Sequence, residues 1–263
     1  MVRKRATRDE PIYIDTSTSE TTEQTVKELL EQLYNSVKQT CWDYKKHQET
    51  LWLRDQAASV VFIVAGLRNS EVCQGPAKTS GWKWKDKKKV KRIEYTPNSY
   101  PLRRKQIRVY PERLVILNVK TVKHGKLRPE IIFPKKGALT PFAEILEMWV
   151  KRLDSFGADG ETYLFPPAYP NTREAEKNDR EKEANPFNFG KAMSTSRIWR
   201  IIKDTTRNFP HWYRAVCETL YGMVIFEGSA HMLKDRMGLT TLEATVPYVQ
   251  SSYKEKEKNA EKL

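Results

Sequence analysis

His211 and Arg214 stand three residues apart in Phe209-Pro-His-Trp-Tyr-Arg214, a spacing that puts both on one face of a helix. Tyr248 follows 34 residues later, in Thr245-Val-Pro-Tyr248. A guanidinium can fork onto two non-bridging phosphate oxygens, and an imidazole can move a proton or donate to a third position. A tyrosine hydroxyl can form a covalent intermediate. Together the three residue types suit attack on a phosphodiester. Arg68 lies far upstream, directly after a long apolar run. Lys120 opens the turn Lys120-Thr-Val-Lys-His-Gly-Lys126, from whose tip a lysine can swing into a site and deliver a proton. Lys123 and Lys126 share that turn.

These residues need a scaffold, and the chain supplies one. At 263 residues with 39% hydrophobic content and seven tryptophans, it folds around a substantial core. Thr21 and Gln24 form a capping-box pattern ahead of Val26, Leu29, Leu30, Leu33 and Val37, which predicts a helix from about 22 to the mid-40s. A second helix, about 50–65, is apolar nearly all round and must be central. It stops at Gly66, and a short helix restarts with Asn69 or Ser70 as cap. Residues 75–100 read as a loop. Ile107-Arg-Val-Tyr, Leu114-Val-Ile-Leu-Asn-Val and Glu130-Ile-Ile-Phe read as three strands, the last two joined at Gly125. Thr140-Pro141 starts an amphipathic helix. Further helices begin near Ser194, carry His211 and Arg214, and span 228–237.

Composition excludes several classes. No apolar run reaches the ~20 residues that cross a bilayer, and the N-terminus lacks an apolar signal core. Cys41, Cys73 and Cys217 are widely spaced without a CxxC, arguing against a disulfide framework and against a metal site. A cytoplasmic, nucleoid-associated location follows as an expectation. The net charge is +14, and the stretch from Gly81 to Gly137 carries all of it, with 18 Lys/Arg against Asp86, Glu94, Glu112 and Glu130. So concentrated an excess is the footprint of a polyanion-binding face. Lys83, Lys85, Lys87, Lys88, Lys89, Lys91 and Arg92, interleaved with Trp82 and Trp84, suit phosphate contacts and stacking, as do Lys123 and Lys126 on the hairpin.

Gly66-Leu-Arg68-Asn-Ser-Glu71, a hairpin lysine, His211-x-x-Arg214 and Thr245-x-x-Tyr248 occur in that order. In this combination the chain resembles the tyrosine recombinase (integrase) family, whose catalytic domain is shared with type IB topoisomerases. The resemblance covers about residues 20–250, and the insertions are more similar to integrases of archaeal viruses and plasmids. It implies an α+β fold, a mostly helical catalytic domain with a small three-stranded antiparallel sheet. The implied organisation is a basic flexible arm at 1–18, the catalytic domain at 19–253 with a charged insertion about 168–190, and a charged tail at 254–263.

The resemblance implies roles as well. Arg68 and Arg214 hold the scissile phosphate, Lys120 (with Lys123 and Lys126 as rivals) protonates the departing 5′-oxygen, and His211 assists. Tyr248 forms a 3′-phosphotyrosyl bond, with Tyr253 as competitor. The implied partner is double-stranded DNA, cut without metal or other cofactor by a homo-tetramer assembled on it. Two departures stand out. Leu239 occupies a position where the family commonly has His or Trp, so that contact is dispensable, or His231 or a lysine supplies it, or the enzyme is weakened. Only about 20 residues precede the first catalytic-domain helix, where relatives carry a separate helical domain. Two other functions fit the same residues: a catalytically silent DNA-binding module, and a relaxing topoisomerase that acts as a monomer.

Overall fold

The computed structural model describes residues 19–39, 48–75, 77–85, 88–95, 99–121, 125–169, 185–206, 210–220, 230–237 and 242. In these, α1 (Ser19–Lys38), α2 (Gln48–Ile63), α3 (Asn69–Val72), α4 (Thr140–Ser155), α5 (Thr195–Thr206), α6 (Pro210–Leu220) and α7 (Ala230–Met237) accompany two small sheets. The first sheet pairs β1 (Ala77–Lys85) with β2 (Lys88–Tyr95). The second is an antiparallel meander of β3 (Ile107–Val109), β4 (Arg113–Ile116) and β5 (Ile131–Pro134). The architecture is the α+β one expected, a mostly helical domain with a three-stranded antiparallel sheet.

The all-round apolar sequence of α2 makes it the central helix. Every residue from Ala57 to Leu67 is buried, and α1, α4, α5 and α6 all pack against α2. α4 buries Phe142, Ile145, Leu146, Trp149 and Leu153 on one side, and the Trp149 indole donates to Leu164 O at 2.8 Å. Phe187 returns the chain to this core, edge-on to Trp149 with centroids 5.4 Å apart, where Ala168 and Phe187 pair across the mouth of the charged insertion.

Three local expectations are corrected. α1 begins at Ser19, ahead of the Thr21 cap position, and ends at Lys38, short of the mid-40s, while Gln24 donates to Glu28 at 2.8 Å. The cap of α3 is Arg68, in extended conformation, one residue before Asn69. Residues 77–95 form a hairpin instead of a loop. Trp82-Lys-Trp-Lys is an alternating pattern of period 2, and that signal outweighs the lysine content.

Gly66 makes the turn from α2 to Arg68 with φ of +62°, and a Cβ there would lie 3.2 Å from Cys217 Cβ and 2.5 Å from the Met237 methyl. The methyl can move, but the backbone of α6 and the left-handed φ cannot adapt cheaply. Gly66→Ala is expected to cost about 1–3 kcal/mol, read as a lowered midpoint in urea with an unchanged slope.

Candidate active site

The site is built where the end of α2, α3, α6, α7 and the β4–β5 hairpin meet. Arg68 caps α3, and Glu71, fully buried one turn later, reaches back to it. Glu71 Oε2 accepts the Arg68 backbone N–H at 2.8 Å, and Oε1 accepts Arg68 Nη1 at 3.2 Å. The Arg68 side chain stays 23% exposed, so its outer edge faces solvent. On the far side of Glu71 lies Arg128, whose buried Nη2 donates to Oε2 at 2.6 Å.

Arg214 enters from α6. Its Nε pairs with Glu218 one helical turn on at 2.8 Å, Nη2 donates to Met237 O at 2.8 Å, and Nη1 donates to Gly66 O. The arginine thereby fastens α6 to α7 and to the turn that precedes Arg68. Among the described residues these contacts use three of its five N–H donors. Among the described residues this cluster gathers three guanidinium groups around two carboxylates, and Arg68 is its solvent-facing member.

The electrostatics follow from that arrangement. Burial opposes the charge on Glu71, but Arg128, the Arg68 amide and Arg214 together hold its carboxyl below the ordinary value of 4.5. Burial pulls Arg128 down to about 10, against the pull of Glu71, with Arg214 and Arg68 adding repulsion. Burial lowers Arg214 too, against Glu218, and Arg68 lowers it further. A carboxyl whose folded pKa is depressed contributes stability that is complete above its unfolded value and lost as pH falls through the folded one. Thermal midpoints are therefore expected to be flat in pH above about 5 and to fall in acid below 4.5. A midpoint that rises on acidification would contradict the paired state of Glu71.

Lys120 lies on the hairpin that extends β4 and β5, bridged to Leu127. Its ammonium sits 5.5 Å from the centre of the Tyr100 ring, and the Tyr100 backbone N–H donates to Ser70 O at 2.8 Å. The lysine is thus held beside α3 and remains exposed. Lys126 is also exposed, and Lys123 lies outside the described residues. His211 is the second residue of α6, one turn before Arg214; its side chain lies outside the described residues, as do Tyr248, Tyr253 and Leu239. His231 is exposed on α7.

The basic stretch is carried by the β1–β2 hairpin. Lys83 and Lys85 lie in β1, and Lys88, Lys89, Lys91 and Arg92 lie in β2, with Lys87 outside the described residues. The register sets Trp84 opposite Lys89, Trp82 opposite Lys91 and Lys85 opposite Lys88.

Three of the groups that shape the site went unassigned from sequence. Glu71 was part of the motif but had no role, Glu218 is distinguished only by being four residues after Arg214, and Arg128 was one basic residue among eighteen. No protein-family model matches the chain, and no curated protein does.

The helices, the meander sheet and the arginine-lined junction together have the fold of a tyrosine recombinase catalytic domain. Among solved structures it is similar to the XerH site-specific recombinase bound to difH substrate in a pre-cleavage complex, at 13% identity and a TM-score of 0.50, covering 95% of this chain and 55% of that one. It is also similar to XerH bound to palindromic difH substrate in a post-cleavage complex, at 13% identity and a TM-score of 0.50, covering 90% and 50%. The chain thus spans about half the length of the recombinases it matches. No helix among the described residues is long and apolar enough to cross a membrane.

Proposed function

We propose that this chain is a site-specific DNA recombinase, an integrase that cleaves and rejoins duplex DNA through a 3′-phosphotyrosyl intermediate. The observation that carries the reading is the cluster of three arginines around two carboxylates among the described residues, with Arg68 open to solvent beside the better-buried Arg214. Such a site favours a group that brings negative charge, and more so as charge develops on a phosphate in its transition state. Tyr248 Oη attacks the phosphorus, its proton passing to His211 or to water. The bond from phosphorus to the 5′-oxygen breaks, and Lys120 protonates the departing oxygen. Attack by a 5′-hydroxyl reverses the steps, so the energy of the broken bond is kept and neither metal nor nucleotide is required. The β1–β2 hairpin, with Lys123 and Lys126, tracks the DNA backbone. Four protomers act on two duplexes, with the tail from Lys254 docking on a neighbour. The cell compartment that fits this work is the cytoplasm, at the nucleoid, and the mobile element that fits is a virus or plasmid.

A second reading has its own support: Leu239 cannot hydrogen-bond a phosphate oxygen, which favours a recombinase-derived DNA-binding protein that no longer cuts. One experiment separates them. A duplex nicked near the target phosphate, so that the released 5′-hydroxyl strand diffuses away, is incubated with the protein and run on a denaturing gel. A covalent adduct is expected. Salt-sensitive binding, with a log–log slope of ~0.9 per phosphate contacted, and no adduct on any candidate site would favour the silent module. Supercoil relaxation by a monomer without a target site would favour a topoisomerase.

A further inference from the structure

Arg128 is a buried charge for which the strand-transfer scheme has no use. It occupies an unusual register. Along the β4–β5 extension Val119 and Thr121 are buried and Lys120 is exposed, while on the return strand Leu127 is 58% exposed and Arg128 points inward. Hydrophobic patterning alone would bury the leucine and expose the arginine. The observed register puts a guanidinium into the core and leaves a leucine in water, a local cost that some other contact must offset.

That contact is Glu71. One carboxylate oxygen, Oε2, receives both Arg128 Nη2 at 2.6 Å and the backbone N–H of Arg68 at 2.8 Å, while Oε1 holds the Arg68 guanidinium at 3.2 Å. Arg128 is also fixed to its own hairpin, where its backbone N–H donates to Val119 O at 2.8 Å, one residue before Lys120. Thr121 N–H donates to Lys126 O at 2.8 Å and closes the same ladder. A continuous path therefore runs from the Lys120 strand through Arg128 and Glu71 to Arg68.

We propose that Arg128 is a positioning residue which, through Glu71, sets the Arg68 guanidinium and makes that setting depend on the docking of the Lys120 hairpin. The proposal rests on the recombinase reading and assigns a phosphate-orienting role to a residue that touches no substrate. Arg128 holds the shared carboxylate through Nη2, a donor fixed at the edge of a rigid planar group, so the contact sets direction as well as distance in a way that a flexible lysine ammonium does not. The two ends of the reaction, the arginine that holds the phosphate and the lysine that serves the leaving oxygen, then come into register together.

The test is Arg128→Lys, which keeps the charge and loses the rigid planar guanidinium. Adduct formation on the nicked duplex is expected to slow by ~10²-fold, the scale of an ångström misplacement, with DNA Kd and thermal midpoint near those of the wild type. On an Arg68→Ala background the same change is expected to cost nothing further, because Arg128 acts through Arg68. Losses that multiply across the two positions, or an Arg128→Lys protein that cleaves at the wild-type rate, would overturn the proposal. Glu71→Asp, which withdraws the shared carboxylate by one methylene, gives the same reading where Arg128→Lys fails to fold. If the wild type forms no adduct, the recombinase reading fails by itself. The positioning claim is then decided by side-chain NMR, where Arg68 guanidinium resonances sharp in the wild type should broaden in Arg128→Lys while core amides stay fixed. Unchanged Arg68 resonances would sink it.

Discussion

Tyr248→Phe is expected to abolish the covalent protein–DNA adduct while leaving DNA affinity and its salt dependence unchanged. The substitution removes one oxygen and keeps the ring, so packing and backbone contacts lose almost nothing. The reaction loses its nucleophile, and a neighbouring hydroxyl cannot replace it without the same alignment to phosphorus and leaving group. Tyrosine has an ordinary pKa of about 10 and is a weak nucleophile at neutral pH. The positive charge gathered by Arg68, Arg128 and Arg214 is suited to raise its reactivity, because it stabilises the phenolate and the phosphorane-like transition state alike. Tyr253→Phe, five residues on, is expected to keep the adduct. The measurement is the same nicked duplex on a denaturing gel, with shift assays beside it. If the adduct survived Tyr248→Phe and vanished with Tyr253→Phe, the nucleophile would be reassigned and the rest of the scheme kept.

How much of this was legible in the sequence differs by element. α2 announced its position because an all-round apolar helix has only one place to go, and its residues from 57 onward are indeed buried. The meander sheet was legible from three short β-branched runs. The hairpin at 77–95 was missed because lysines mask a period-2 pattern that the backbone nonetheless follows. Arg68 and Arg214 stood out through their motifs, and the structure brings both to the turn at Gly66. Glu71, Glu218 and Arg128 could not be found in this way. A buried ion pair is a property of where two segments meet, and 57 positions separate Glu71 from Arg128. In Arg128 the pattern is actively misleading, since exposed Leu127 and buried Arg128 invert the usual rule. The shared carboxylate accounts for that inversion.

The same burial makes Arg214→Ala the largest stability change expected in the site. Arg214 is 5% exposed and serves Glu218, Met237 O and Gly66 O together. Its removal strands a buried carboxylate and two buried carbonyls. Breaking one side of a buried pair costs about 3–5 kcal/mol, which for a domain of this size lowers the midpoint by roughly 6–20 °C. Arg68→Ala is the contrasting variant. Its guanidinium is 23% exposed, and Glu71 keeps Arg128 as partner, so the midpoint should move little while cleavage falls by ~10²–10³-fold, as for loss of one transition-state donor. Calorimetry of the two variants beside the nicked-duplex assay separates them: Arg214→Ala loses fold and activity together, Arg68→Ala loses activity alone. Equal destabilisation by both would mean that Arg68 is a structural cap with no phosphate to hold. An Arg214→Ala protein as stable as the wild type would mean that α6, α7 and the Gly66 turn are held together by their apolar contacts, and that the guanidinium is free to serve the phosphate alone.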